Sequence, residues 1–103
     1  MSLTFRPALL AVALGLATLP AWSAPAPVQP GRLLASNCFQ CHGTNGAGPG
    51  FERLAGKSAK EIFDDMKEMQ AGKEGEDIMA KHSRGYTDEQ LRLLSTWLSQ
   101  QPR

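Results

Sequence analysis

The chain has 103 residues, a formal net charge of +1, 42% hydrophobic residues and 20% charged ones, which by length makes one domain. These values exclude a disordered, fibrous or multi-domain protein, and the balanced charge offers nothing to a nucleic acid. The apolar residues are unevenly placed, because 15 of the hydrophobic set fall in the first 23 positions.

Arg6 is the only charged side chain before Arg32, and Pro7 to Leu19 contains nothing more polar than Thr18 before Pro20 breaks the run. A short positive segment, an apolar stretch and small residues beyond it have the layout of a secretory signal peptide over residues 1–23, cut after Ser23, with Ala21 and Ser23 at the small-residue positions. A membrane anchor would need about 20 apolar residues, and this stretch is shorter. The expected mature chain, from Ala24, is exported, has no membrane span and carries ten basic against ten acidic side chains.

Those 80 residues hold 18 large apolar side chains, too few for a comfortable core, so something besides side chains should hold the domain together. Residues 24–30, with Pro25, Pro27 and Pro30, predict an extended, disordered lead-in. A first helix is expected from Gly31 to about Gln40, offering Leu33, Leu34 and Ala35 for packing.

This helix runs into Cys38-Phe39-Gln40-Cys41-His42. A disulfide closing so small a loop would remove little chain entropy. Zinc would want four ligands, and His82 is the one further His or Cys in the mature chain. A thioredoxin-like redox motif should follow a buried strand, yet residues 24–37 hold no β-branched run. The remaining reading is covalent attachment of one haem c, whose signature is Cys-x-x-Cys-His. Two thiols three residues apart on a helical turn can each bond a porphyrin carbon, and the adjacent imidazole can reach the iron. Haem would also supply the missing apolar core.

Gly43, Gly46, Gly48 and Gly50, with Pro49, predict a loop lying against the porphyrin. A carbonyl of that loop, with Pro49 the candidate, is expected to orient His42 through its second ring nitrogen. Ser58 and Glu61 form a capping pattern ahead of Ile62, Phe63, Met66 and Met69, so a second helix is expected over Ala59–Ala71. Thr87 and Gln90 repeat that pattern before Leu91, Leu94, Trp97 and Leu98, predicting a third helix from Asp88 to about Gln100. No strand pattern appears, and the fold class is all-α, with three main helices around the haem.

The sixth position on the iron has four candidates. Met66 and Met69 share a helix face with Ile62 and read as core. Met79 and His82 fall between the second and third helices, where a loop can lay a side chain over the far face of the haem. His82 is the stronger ligand in principle, but Lys81, Ser83 and Arg84 around it look solvent-facing, and position favours Met79 without excluding His82.

Cys38-Phe39-Gln40-Cys41-His42-Gly43, Leu54-Ala55-Gly56-Lys57-Ser58, Ile78-Met79 and Gly85-Tyr86-Thr87-Asp88-Glu89-Gln90-Leu91 together resemble the small bacterial class I c-type cytochromes. The likeness covers about Gly31 to Leu98, and it points in particular to the single haem domains of di-haem cytochromes c and to the cytochrome subunit of flavocytochrome c sulfide dehydrogenase. It implies a cytochrome c domain over residues 31–103, haem c on Cys38 and Cys41, His42 proximal and Met79 distal. It also implies crossed first and last helices, with Gly31 and Leu34 near Leu94 and Trp97, and a periplasmic location. One haem motif, where the di-haem proteins have two, makes this a mono-haem protein or one piece of an assembly.

A His/Met pair would leave no open position for substrate, which is the arrangement of an electron carrier and not of an enzyme. Redox proteins, a flavoprotein subunit among them, are the expected partners, docking where the haem edge is exposed, with Lys57, Lys73 and Lys81 as candidates for the rim. The alternatives are the haem subunit of a periplasmic dehydrogenase and, should Met79 not bind iron, a peroxidase or gas-binding site.

Overall fold

The computed structural model describes residues 1–4 and 7–103, so Arg6, the positive charge of the export reading, lies outside the described residues. Residues 7–29 form no regular element, and Leu9, Leu10, Val12, Leu14, Leu16, Leu19 and Trp22 are all exposed. Among the described residues no helix is long and apolar enough to cross a membrane.

Helix α1, Pro30–Ala35, opens with proline in its first turn, where the missing N–H costs nothing. A 3-10 turn, Ser36–Cys38, and helix α2, Phe39–His42, continue it without a break. The expected first helix therefore extends two residues further, to His42, and stops at Gly43 with φ 84°. A left-handed backbone there is open to glycine at little cost and ends the helical hydrogen bonding.

Helix α3, Ala59–Gln70, begins as the sequence predicts, with the Ser58 hydroxyl accepting from Glu61 N at 3.0 Å. The reciprocal half of the cap is missing, because the Glu61 carboxylate faces Lys57 at 3.4 Å instead. The last long helix is also as expected, and its cap is complete: Gln90 N donates to Thr87 Oγ1 at 3.2 Å and Thr87 N donates to Gln90 Oε1 at 2.9 Å.

Between them the structure departs from expectation. Ile78–Ser83 is not loop but helix α4, capped by the Asp77 carboxylate accepting from Ala80 N at 3.0 Å, so the last helix, Asp88–Ser99, is α5. The six residues of α4 show too little apolar periodicity to be read locally. Gln70 at the end of α3 holds α4 in place, its amide donating to Ser83 O at 2.7 Å and Tyr86 O at 3.1 Å. No strand occurs among the described residues, and the fold is the all-α arrangement around a small core of Ala35, Ile62, Met66, Leu91, Leu94, Trp97 and Leu98.

The crossing of α1 and α5 is the tightest feature of the frame. A Cβ on Gly31 would stand 2.5 Å from Leu93 O and 2.7 Å from Trp97 Cβ, and the first of these is backbone that cannot turn aside. Gly31→Ala should therefore force the helices apart. Overpacking of about 3 kcal/mol outweighs the ~1 kcal/mol that alanine gains in a helix, and thermal unfolding monitored by circular dichroism should show Tm lowered by about 10 °C.

Candidate functional site

Helices α2, α3 and α4 and the loop after α2 wall a cavity of about 330 Å³, lined on one side by Cys38, Cys41, His42, Phe51 and Glu52 and on the other by Met66, Met69, Ile78, Met79 and His82. A smaller space of about 60 Å³, bounded by Leu54, Lys57, Ile62, Leu94 and Leu98, shares His42, Glu52 and the methionines with it and leads toward the core. A wider groove beside residues 26–29 is lined largely by Gln29, Arg32, Asn45, Gln100 and Gln101, and holds none of the sulfur or imidazole groups.

The cysteine pair and the histidine are brought together by the unbroken helical path from Pro30 to His42. Cys38 is half-buried and Cys41 exposed, and both are free thiols. Burial first, and the neighbouring Cys41 second, push the Cys38 thiol above its ordinary range. A dithiol working by exchange needs the opposite, a thiol depressed toward thiolate. Among the described residues no three His, Cys, Asp or Glu side chains converge as a metal-binding group.

His42 is 8% exposed. Its Nδ1–H donates to a loop carbonyl at 2.5 Å, and that carbonyl belongs to Glu52 rather than to the expected Pro49. The reason is the path of the loop. Gly48 N donates to His42 O and Phe51 N to Cys41 O, both at 2.8 Å, so the chain swings out at Pro49 and returns past the ring two residues after Gly50. Pro49 is exposed and lines no part of the cavity. With Nδ1 committed, the tautomer is set and Nε2 is the nitrogen left with a lone pair for a metal.

On the opposite wall the structure brings together all four candidates. Met66 and Met69, expected as core, do pack in it or against it, but they also line the cavity. Met79 and His82 are three residues apart on α4, on neighbouring positions of one face, and both line the same cavity, Met79 half-buried and His82 exposed. Tyr86 closes one corner, donating its hydroxyl to Leu34 O at 2.9 Å and accepting from Asn37 Nδ2 at 3.1 Å. Burial is the main cause that raises its phenol above the ordinary value.

Of the three lysines expected at the rim, Lys73 and Lys81 are exposed but Lys57 is not. Its ammonium is held by Glu52 at 3.0 Å and by Glu61 and Asp65 at 3.4 Å. Burial alone would lower its proton affinity, but these carboxylates reverse that and hold it above the usual lysine range.

The two thiols, the free imidazole nitrogen and facing thioethers around an apolar cavity suit a haem bound through sulfur on one side. Comparison with known proteins agrees. The family model for cytochrome c matches residues 28–102. The chain belongs to the cytochrome c family. It is also 32% identical over 101 residues to the cytochrome subunit of sulfide dehydrogenase from Chlorobaculum tepidum, an alignment covering 92% of this chain and 91% of that one. This cytochrome c is an electron-transfer haem protein, and its cofactor is haem c, covalently bound, with Cys38 and Cys41 at the spacing of the attachment motif.

Proposed function

We infer that this protein is an exported mono-haem electron carrier in which Cys38 and Cys41 hold the haem, His42 is the proximal ligand and Met79 the distal one. The observation that carries the reading is the cavity itself, with both thiols, a His42 whose Nδ1 is already bonded, and Met79 on the facing helix. Haem c supplies a one-electron couple when bound. The chain's residues do the rest: the Glu52 carbonyl fixes the imidazole plane, α4 presents a thioether, and Met66 and Met69 supply apolar wall. A neutral thioether opposite histidine favours the reduced state and raises the potential relative to two histidines.

Residues 1–23 serve as the export signal, removed after Ser23 on delivery to the periplasm, a reading supported by the exposed apolar side chains from Leu9 to Trp22. Residues 24–29 are the lead-in; Pro30, expected as its last residue, opens α1 instead, and the cytochrome c domain follows to residue 103. Phe51 and Ile78, both lining the cavity, are exposed apolar side chains at its mouth. A redox partner docking there gains contact area without strong charge steering, as a transient interface requires.

A second reading, a haem subunit that takes electrons from a flavoprotein partner, is favoured by the relative from Chlorobaculum tepidum, a subunit of sulfide dehydrogenase by name. The visible spectrum of the exported protein tests the site. A low-spin c-type spectrum with the weak sulfur-to-iron band of the oxidised form is expected, and a c-type spectrum without that band would remove Met79 from the iron. Gentle purification then separates the two roles: a stoichiometric flavoprotein travelling with the haem chain makes it a subunit, and a haem protein eluting by itself makes it a carrier.

A further inference from the structure

Glu52 is bound at both ends. Its carbonyl accepts from His42 Nδ1 at 2.5 Å, while its carboxylate accepts from Lys57 Nζ at 3.0 Å. The surrounding loop gives it little other support. Phe51 N donates to Cys41 O and Leu54 N to Gly46 O, but between them no backbone hydrogen bond is made by the Glu52 or Arg53 N–H among the described residues. Gly50, Phe51, Glu52 and Arg53 are all exposed.

Lys57 is the opposite kind of residue, fixed to the frame from several sides. Its N–H donates to Leu54 O at 3.1 Å, and the preceding Gly56 N donates to Leu98 O of α5 at 3.0 Å. Its side chain is 9% exposed, and its ammonium is also held by Glu61 and Asp65, one turn apart on α3. A buried ammonium is expensive unless it is paired, and here α3 alone supplies two carboxylates. Glu52 is the third, and it is the one that comes from the loop.

We propose that Lys57 is a positioning residue for the proximal histidine: by gripping the Glu52 carboxylate from the α3–α5 frame, it holds the Glu52 carbonyl against His42 Nδ1. This rests on the reading of His42 as an iron ligand. The bond to Nδ1 sets the ring's orientation and its basicity toward a metal, so a lysine outside the ligand set takes part in tuning the haem. No proton or electron passes through Lys57.

The test is the solvent exchange rate of the His42 Nδ1 proton, measured by NMR on the reduced holo-protein. Lys57→Met and Glu52→Gln should each speed that exchange at least tenfold, while Lys57→Arg, which keeps the charge-assisted bond, should stay within about threefold of the wild type. Lys67→Met is the control, since it breaks another ion pair of α3, to Asp88 at 2.7 Å, and a bond to Gln70, and Lys67 touches neither Glu52 nor His42. A general loss of stability would speed exchange in the control as well. Equal rates in wild type, Lys57→Met and Glu52→Gln would overturn the proposal, as would acceleration by Lys67→Met to the same degree. A failure of the ligand reading is distinct: the wild-type His42 ring protons would then lack the large shifts imposed by a bound haem, and the proposal would fall with it. If Lys57→Met yields no holo-protein, Glu52→Gln, an exposed and conservative change, gives the same comparison.

Discussion

Cys41→Ser should leave the exported domain largely without haem and without a cooperative fold. The side-chain core consists of seven buried residues, one of them only an alanine. Beside it stands a cavity of about 330 Å³ with mostly apolar walls. At about 24 cal/mol per Å³, an unfilled space of that size costs at most ~8 kcal/mol, with water entering at the exposed rim to reduce the figure. A domain of this length has about 5–15 kcal/mol of stability in all, so losing the cofactor removes most of it. One remaining thioether, from Cys38, would tether haem less efficiently, and Cys38 is the less accessible of the two thiols. The expected result is a holo-protein yield lowered tenfold or more, read from the haem-to-protein absorbance ratio, with the haem-free fraction showing little helical signal in circular dichroism. A Cys41→Ser protein with full haem content and wild-type Tm would end this account of the core.

Met79→Ala should produce the largest functional change. Without the thioether the reduction potential falls, by on the order of 100 mV, the sulfur-to-iron band disappears, and carbon monoxide binds rapidly to the reduced protein. His82 complicates this in an informative way, because it stands three residues further along the same face of α4 and lines the same cavity. If His82 fills the vacated position, the single variant stays low-spin and closed to carbon monoxide, and the Met79→Ala/His82→Ala double variant opens. Met69→Ala is the comparison. Half-buried against the core, it should cost about 1–3 kcal/mol of stability through lost packing and leave the spectrum unchanged. Identical behaviour of Met69→Ala and Met79→Ala would withdraw Met79 as the ligand.

Much of this site was legible in a short stretch of chain. The haem motif needs a single helical turn, and the two caps at Ser58 and Thr87 are local hydrogen bonds, so their residues could be named from spacing alone. Lys57 is a different case: sequence offers it only as a candidate for an exposed rim, and the convergence of α3 with the loop reveals a buried side chain whose ammonium meets three carboxylates. Glu61 shows the same limit on a smaller scale. It has the right spacing for a reciprocal cap, but Lys57 offers its carboxylate a charged partner, and the cap stays half made.

Sequence by itself determined the helical class, the ends of α3 and α5, the attachment cysteines and the histidine beside them, because each depends on interactions spanning four residues or fewer. Tertiary structure decided what lies opposite and behind that histidine. Helix α4 is too short to announce itself and is fixed by Asp77 at its cap, by Gln70 from α3 and by burial of Ala80 and Ser83, yet it is what carries Met79 and His82 to the cavity. The carbonyl that orients His42 belongs to Glu52 and not Pro49, because a glycine-rich loop has no preferred path of its own. Its course is set by Cys41, His42 and Gly46, whose carbonyls receive its N–H groups, and no spacing along the chain encodes where those bonds fall.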